Sequence, residues 1–368
     1  SYLKKARSSK REELQRWRVY RRLMVLAHRL LLEGGILPTD FGGIPALEFL
    51  TGERKHSIEV VKRFRLGCTC NAEGQAVLYS QLQDAFGEKL LESCGLKENG
   101  IFVWPENAII IPVLRLDEPI TFRFKVYSEV SPSGEKSVFS LRQELLSQKQ
   151  RRLASIWNVD AVLSQDAGES VVWLVEGEDD AMQLIKAGHD AVALLGGPTN
   201  EALKILKNSN VKEFVLAFDA DDAGRQYLKR TIAALYTEKR LRIYRPSEKD
   251  VDLDLRKGSF QLSRIENHLP GPYEEREEGL FLLSENGKVR QISNFKFELV
   301  AWKPDELEDG KLFYLRLKSI PETMKGGTPE VIEIRGHELM SLNLFKQKMG
   351  AHGLAWLETS EQRHGLFF

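Results

Sequence analysis

The chain has 368 residues with 53 Lys plus Arg and 53 Asp plus Glu, so a formal charge of zero gives no whole-chain argument for nucleic acid or an anionic membrane. Hydrophobic residues at 42% and charged residues at 29% exclude a disordered, collagenous or membrane-embedded chain. At roughly 150 residues per domain the length predicts two or three domains. Cys68, Cys70 and Cys94 form neither a disulfide framework nor a CxxC zinc pair, and no apolar run approaches the roughly 18 residues of a spanning helix, so a cytoplasmic protein without a membrane partner is expected. The chain starts at Ser1 rather than Met, which is read as the start of a processed or excised piece of a longer polypeptide.

Residues 1–30 hold ten basic residues against Glu12 and Glu13, the strongest charge asymmetry in the chain. Leu14, Trp17, Val19, Leu23, Leu26, Ala27, Leu30 and Leu31 recur at three and four, which predicts a helix with one buried face, stopped by Gly34 and Gly35. The remaining face, with Lys4, Lys5, Arg18 and Arg22, is either a solvated basic surface or a contact for a phosphate backbone. Residues 44–75 read as short helices. Ala108–Val113 and the alternating Thr121–Tyr127 read as strands, with Arg123 and Lys125 on one face and Phe122 and Phe124 on the other.

From 171 to 245 the pattern is the most regular. Val171–Val175, Ala191–Leu195, Phe214–Phe218 and Leu241–Tyr244 are short apolar runs separated by helical text at 180–187, 200–207 and 223–235. Runs apolar throughout and separated by helices predict a parallel sheet covered on both faces. Pro270-Gly271-Pro272 and the acids after it mark a boundary. Beyond it, strands are expected at 279–284, 288–302, 311–318 and 331–335, joined by Asn286-Gly287, Asp309-Gly310 and Gly326-Gly327 turns, and a helix at 337–349.

Ligands of such sheets gather at the carboxyl ends of the strands. The first strand ends in Glu176-Gly177 followed by Asp179 and Asp180; the third ends in Asp219-Ala220-Asp221-Asp222-Ala223-Gly224; Asp250, Asp252 and Asp254 follow the fourth. Singly, these acids fit helix caps or a solvated loop. Together on one rim they would repel unless a cation held them, and oxygen-only donors favour Mg²⁺ or Mn²⁺ over zinc.

Residues 174–197, LVEGEDDAMQLIKAGHDAVALLGG, followed by LAFDADDAGRQ at 216–226, resemble a Toprim domain as found in DnaG-type primases and in phage and plasmid primase-helicases. ALEFLTGERKHSIEVVKRFRLGC (46–68) and IIIPVLRLDEPITFRFKV (109–126) are similar to segments of the primase core that precede that domain. The resemblance implies an α/β Toprim fold at 166–268, an N-terminal α+β primase-like subdomain at 1–165 and a small β-rich α+β domain at 279–368. It implies that Glu176 and Asp180 serve catalysis, that Glu176, Asp219, Asp221, Asp250 and Asp252 hold Mg²⁺ or Mn²⁺, and that Arg115, Arg123 and Lys125 contact template or triphosphate. The implied chemistry is attack of a 3′-hydroxyl on the α-phosphate of a nucleotide, making short primers on single-stranded DNA. Nucleoside triphosphates and a replicative helicase or helicase domain would be its partners. No zinc ribbon and no GxxxxGK[ST] phosphate loop is present. The alternatives are a Toprim nuclease or topoisomerase-like enzyme using the same acids, and a non-catalytic nucleic-acid-binding module.

Overall fold

A computed structural model describes residues 2–35, 44–69, 72–105, 107–126, 138–141, 143–164, 170–236, 238–267, 273–276, 279–283, 289–304, 311–319, 331–352 and 354–357. Cys70, the Pro270-Gly271-Pro272 segment and the three expected glycine turns of the C-terminal region lie outside these residues. The chain divides into two compact units, Ser1–Ala220 with Arg245–Leu262, and Asp221–Tyr244 with Ser263–Phe368.

In the first unit the basic N-terminal segment is a helix, Tyr2–Leu32. Its buried stripe, Val19, Tyr20, Leu23, Met24, Ala27 and Leu31, has the three-and-four spacing of a helix face. Gly34, at φ 96°, supplies the left-handed residue that ends it. The helix lies so close to the strand Gly67–Cys68 that a Cβ on Gly67 would sit 2.6 Å from Cβ of Ala27. Tyr20 packs edge-on to Phe122 at 5.4 Å and donates its hydroxyl to the carbonyl of Cys94 at 3.0 Å.

Gly67–Cys68, Ile109–Arg115, Glu118–Lys125 and Val138–Ser140 form an antiparallel sheet in that order. Leu116 and Asp117, both at positive φ, make the two-residue turn of its central hairpin. Phe122 and Phe124 are buried while Arg123 and Lys125 are half-exposed, the alternation that a pleated strand imposes.

A second sheet of this unit runs Ile156–Trp157, Asp190–Leu194, Val171–Val175, Glu213–Leu216. Its last three strands are parallel, with Val171 opposite Glu213 and Val172 opposite Asp190, and the short first strand is antiparallel. Trp157 ties the two sheets together, donating Nε1–H to the Pro112 carbonyl at 3.1 Å and stacking obliquely on Phe64. The helices Glu178–Lys186 and Asn200–Lys207 follow the first two crossing strands, and Val251–Lys257 completes the unit.

The first of these helices begins two residues earlier than the periodicity suggested. Extended Gly177 is its N-cap, so Glu178, Asp179 and Asp180 all fall in its first turn, where the helix dipole favours negative charge.

In the second unit Asp221 caps the helix Asp222–Leu235, its side chain accepting from the Gly224 N–H at 2.8 Å. The strand Arg240–Tyr244 pairs antiparallel with Ile265–Asn267. Two three-stranded antiparallel sheets follow, Tyr273–Arg276 with Gly279–Leu283 and Val289–Ser293, and Lys296–Pro304 with Lys311–Ser319 and Val331–Arg335. The single strand expected over 288–302 is therefore broken at Asn294-Phe295. The helix expected at 337–349 is also two, Gly336–Met340 and Leu342–Ala351, because Ser341 caps the second. Leu280, Ile292, Phe295, Leu315, Ile334, Phe345 and Trp356 form their common core. Among the described residues no helix is long and apolar enough to cross a membrane.

Candidate active site

The strand Val171–Val175 delivers Glu176 and Gly177 to the carboxyl edge of the parallel sheet, and Glu213–Leu216 delivers Asp219 beside them. Glu176 Oε1 accepts the backbone N–H of Asp219 at 3.0 Å, joining the two strand ends. The loop before Val251–Lys257 closes the third side: the Ala220 N–H donates to the Lys249 carbonyl at 2.8 Å, and Asp250 caps the helix through the Leu253 N–H at 2.8 Å. Asp180 reaches across to accept the backbone N–H of Asp252 at 2.9 Å. A Cβ on Gly177 would stand 2.8 Å from Asp180 Oδ2, so glycine is what lets this carboxylate approach the strand end.

These elements enclose a cleft of about 430 Å³ lined by Glu176, Asp180, Asp219 and Asp250, with Arg123, Lys125 and Lys249 also on its walls. Its charges are sorted. Asp179 receives Arg54 Nη2 at 2.9 Å, Lys125 Nζ, and His56 Nε2 at 3.0 Å. Burial alone would raise its pKa, but the Lys125 ammonium, the His56 hydrogen bond and the Arg54 guanidinium hold it well below the usual carboxylate range. Asp252 is gripped by Arg54 Nη2 at 2.9 Å and by Arg256 through both Nε and Nη2, at 3.0 and 2.9 Å. Glu178 pairs with Arg123.

Asp180 is the opposite case. Buried, hydrogen-bonded to one backbone N–H and in no salt bridge among the described residues, it is pushed well above the usual range by desolvation first and then by Asp250, Asp219 and Asp252.

The sequence-derived residues thus do not all meet in one place. Glu176, Asp180, Asp219, Asp250, Asp252, Arg123 and Lys125 line one cleft. Arg115 is instead paired with Asp160, whose other oxygen accepts the Leu116 N–H at 2.7 Å, and Arg115 is not on the cleft wall. Asp221 caps its helix in the second unit. Arg18 and Arg22 are exposed on the N-terminal helix; the side chains of Lys4 and Lys5 lie outside the described residues. Asp254, grouped with the other acids by sequence, organises the loop by accepting from the Ser247 and Glu248 N–H groups and the Ser259 hydroxyl.

Sequence reasoning missed Arg54 and His56. Both follow a π-helical turn, Phe49–Glu53, in which the Arg54 N–H donates to the Phe49 carbonyl at 3.0 Å. This wide turn carries the chain to the cleft and is a feature often found near functional sites.

The donors are oxygen-only, which suits a hard divalent cation. Among the described residues, no three His, Cys, Asp or Glu side chains are gathered closely enough to chelate one ion. The fit is therefore one of donor chemistry and shared cleft, with Glu176, Asp180, Asp219 and Asp250 as the available oxygens.

Comparison with known proteins places a Toprim-like family model on residues 173–255. No curated protein matches the chain. Among solved structures, a DnaG primase catalytic domain bound to ssDNA matches at 19% identity with a TM-score of 0.52, covering 67% of this chain and 78% of that one. The RNA polymerase domain of Mycobacterium tuberculosis primase DnaG matches at 20% identity and 0.48, covering 67% and 84%. The primase fragment of the bacteriophage T7 primase-helicase protein matches at 16% and 0.31, covering 44% and 60%. Residues 173–255 are a Toprim-like domain, and over about two thirds of its length the chain has the fold of a DnaG primase catalytic domain.

Proposed function

We propose that this chain is a primase catalytic core, joining nucleotides into short primers on single-stranded DNA by metal-dependent nucleotidyl transfer. One observation carries the reading: Glu176, Asp180, Asp219 and Asp250, delivered by three separate chain crossings, line a single cleft whose walls also hold Arg123, Lys125 and Lys249. An acidic floor with cationic walls is the arrangement phosphoryl transfer needs, since charge must be balanced on both the entering and leaving oxygens. A bound Mg²⁺ or Mn²⁺ would neutralise charge on the reacting phosphate and would draw its ligands from among Glu176, Asp219 and Asp250, with Asp180 beside them in a catalytic role. Glu176, which already fixes the Asp219 backbone, sets the spacing of two of these donors. Arg123 and Lys125 orient the phosphate chain or template.

Two further elements belong to the proposal. Arg18 and Arg22, exposed on the N-terminal helix, contact the DNA backbone together with Lys4 and Lys5 earlier in the same sequence, and Asp252 supports the acid cluster. The parent is a phage or mobile-element replication protein, and its partner is a helicase or helicase domain.

The test is primer synthesis by the full chain on single-stranded templates with labelled nucleotides and Mg²⁺ or Mn²⁺. Products of defined short length are expected, and Glu176→Gln lowers their yield at least about 100-fold. Absence of product with both ions, or equal yield from the variant, contradicts the proposal.

A non-catalytic nucleic-acid-binding module is the second reading. Its support is the ion pairing of Asp179 and Asp252 and the lack of a three-carboxylate chelate among the described residues. Salt-sensitive DNA binding unchanged by Asp219→Ala, with no incorporation, distinguishes it.

A further inference from the structure

The side chain of His56 is fully buried and is met at both ring nitrogens. Nε2 lies 3.0 Å from Asp179 Oδ1, and Nδ1 lies 3.3 Å from Gln183 Nε2. Gln183 Nε2 also donates to the Arg54 carbonyl at 2.6 Å, which identifies it as the amide nitrogen. Nδ1 therefore accepts, and the ring proton sits on Nε2, aimed at Asp179. Asp179 and Gln183 are four residues apart on the helix Glu178–Lys186 and share a face, so the ring spans one turn of it. The loop that presents the ring is fixed in turn: the His56 N–H donates to the Leu50 carbonyl at 2.9 Å.

His56 itself is not on the cleft wall, whereas Asp179, Arg54 and Lys125 are. Asp179 Oδ1 faces His56, and its Oδ2 receives the Arg54 guanidinium at 2.9 Å and the Lys125 ammonium. The terminal torsion of an aspartate is soft, so donors on one oxygen leave the carboxylate plane free to turn and a donor on the other fixes it. Lys125 carries a point charge on a flexible four-carbon stem, and its head takes its place from its partner. A chain of buried, satisfied hydrogen bonds thus runs from Gln183 through His56 and Asp179 to an ammonium group at the cleft.

We propose that His56 is a positioning residue: through Asp179 it holds the Lys125 ammonium on the cleft wall, where the phosphate oxygens of the substrate arrive. The nucleotidyl-transfer reading supplies only what Lys125 meets there; the placement of Lys125 stands without it.

The experiment compares His56→Met and His56→Gln in the full chain. The two replacements are nearly equal in size, and only glutamine can donate to Asp179 Oδ1, so they share packing and differ in the hydrogen bond. Acetylation of lysines, followed by mass spectrometry, reads how firmly Lys125 is held, with the exposed Lys62 as internal standard. Acetylation of Lys125 should rise at least about fivefold in His56→Met, the loss of one net hydrogen bond, and stay near the wild-type rate in His56→Gln. In primer synthesis His56→Met should raise the nucleotide KM at least about fivefold with kcat within about twofold, His56→Gln should recover it, and His56→Met should add nothing in a Lys125→Ala background. Circular dichroism checks folding, and Gln183→Met, which frees the tautomer and keeps the ring, should move Lys125 in the same direction if His56→Met does not fold. Equal Lys125 acetylation in wild type and variants, an equal rise in His56→Met and His56→Gln, or a fall in kcat with KM unchanged overturns the proposal. If no form of the chain makes primer, the primase reading fails and acetylation alone decides the placement of Lys125.

Discussion

The backbone N–H of Asp252 donates to Asp180 Oδ1 at 2.9 Å, fixing the start of the helix Val251–Lys257 to the first turn of the helix Glu178–Lys186. Because an amide oxygen would accept the same bond, Asp180→Asn keeps the link and removes the buried ionisable group. The pKa of Asp180 is raised in the fold, so the stability it contributes is present below the ordinary carboxylate value and is lost as pH rises through its folded value. Asp180→Asn is therefore expected to raise the melting temperature at pH 7 while leaving it nearly unchanged at pH 3, and to lower primer synthesis. Thermal melts at the two pH values check the sign.

Asp179 gives the reverse dependence. Its pKa is depressed, so its contribution is present above the ordinary carboxylate value and lost as pH falls through the folded value. Asp179→Asn should flatten the acid limb of the stability curve below about pH 4. An acid denaturation series on both proteins measures it.

Arg54 bridges Asp179 and Asp252 through one Nη2, at 2.9 Å to each. Removing one partner of a buried ion pair costs about 3–5 kcal/mol, and Lys125, His56 and Arg256 remain, so Arg54→Ala should lose about 3 kcal/mol, read as a urea midpoint shift. Arg54→Lys should recover part of it, since an ammonium keeps the charge but lacks the planar fork.

Gly177→Ala drives a methyl to within 2.8 Å of Asp180 Oδ2. The φ of −108° suits alanine, so the cost is steric alone, about 1–3 kcal/mol. The double variant Gly177→Ala/Asp180→Ala should lose less than the sum of the singles, which a double-mutant cycle in urea determines.

On the N-terminal helix, Arg18→Ala and Arg22→Ala should each reduce the slope of log affinity for single-stranded DNA against log salt by about 0.7, one phosphate contact apiece. Fluorescence anisotropy across a salt series gives the slope. Arg115→Ala, whose guanidinium is paired with Asp160, should leave the slope unchanged.

How far the sequence carried can be judged element by element. The parallel strands at 171–175, 190–194 and 213–216 were legible because fully apolar runs separated by amphipathic text admit few other packings. The acids at strand ends followed from topology. Their counter-charges did not: Arg54 meets Asp179 across 125 residues of chain, and no local periodicity encodes that meeting. Asp221 and Asp254 look alike in sequence to the cleft acids, yet Asp221 caps its helix and Asp254 holds a loop's N–H and hydroxyl groups, and neither lines the cleft, whereas Asp250 caps a helix and does. The strand break at Asn294-Phe295 was missed although Ser293 and Asn294 interrupt the apolar pattern between Ile292 and Phe295.

The central claim is that the cleft carboxylates gather around a divalent cation. Electron paramagnetic resonance titration of Mn²⁺ into the chain tests it without requiring turnover. The account predicts loss of the free-ion signal on addition of wild-type protein, with binding weakened at least about tenfold in Glu176→Gln and in Asp219→Asn. An undiminished free Mn²⁺ signal with wild type, or equal binding by all three proteins, would contradict it.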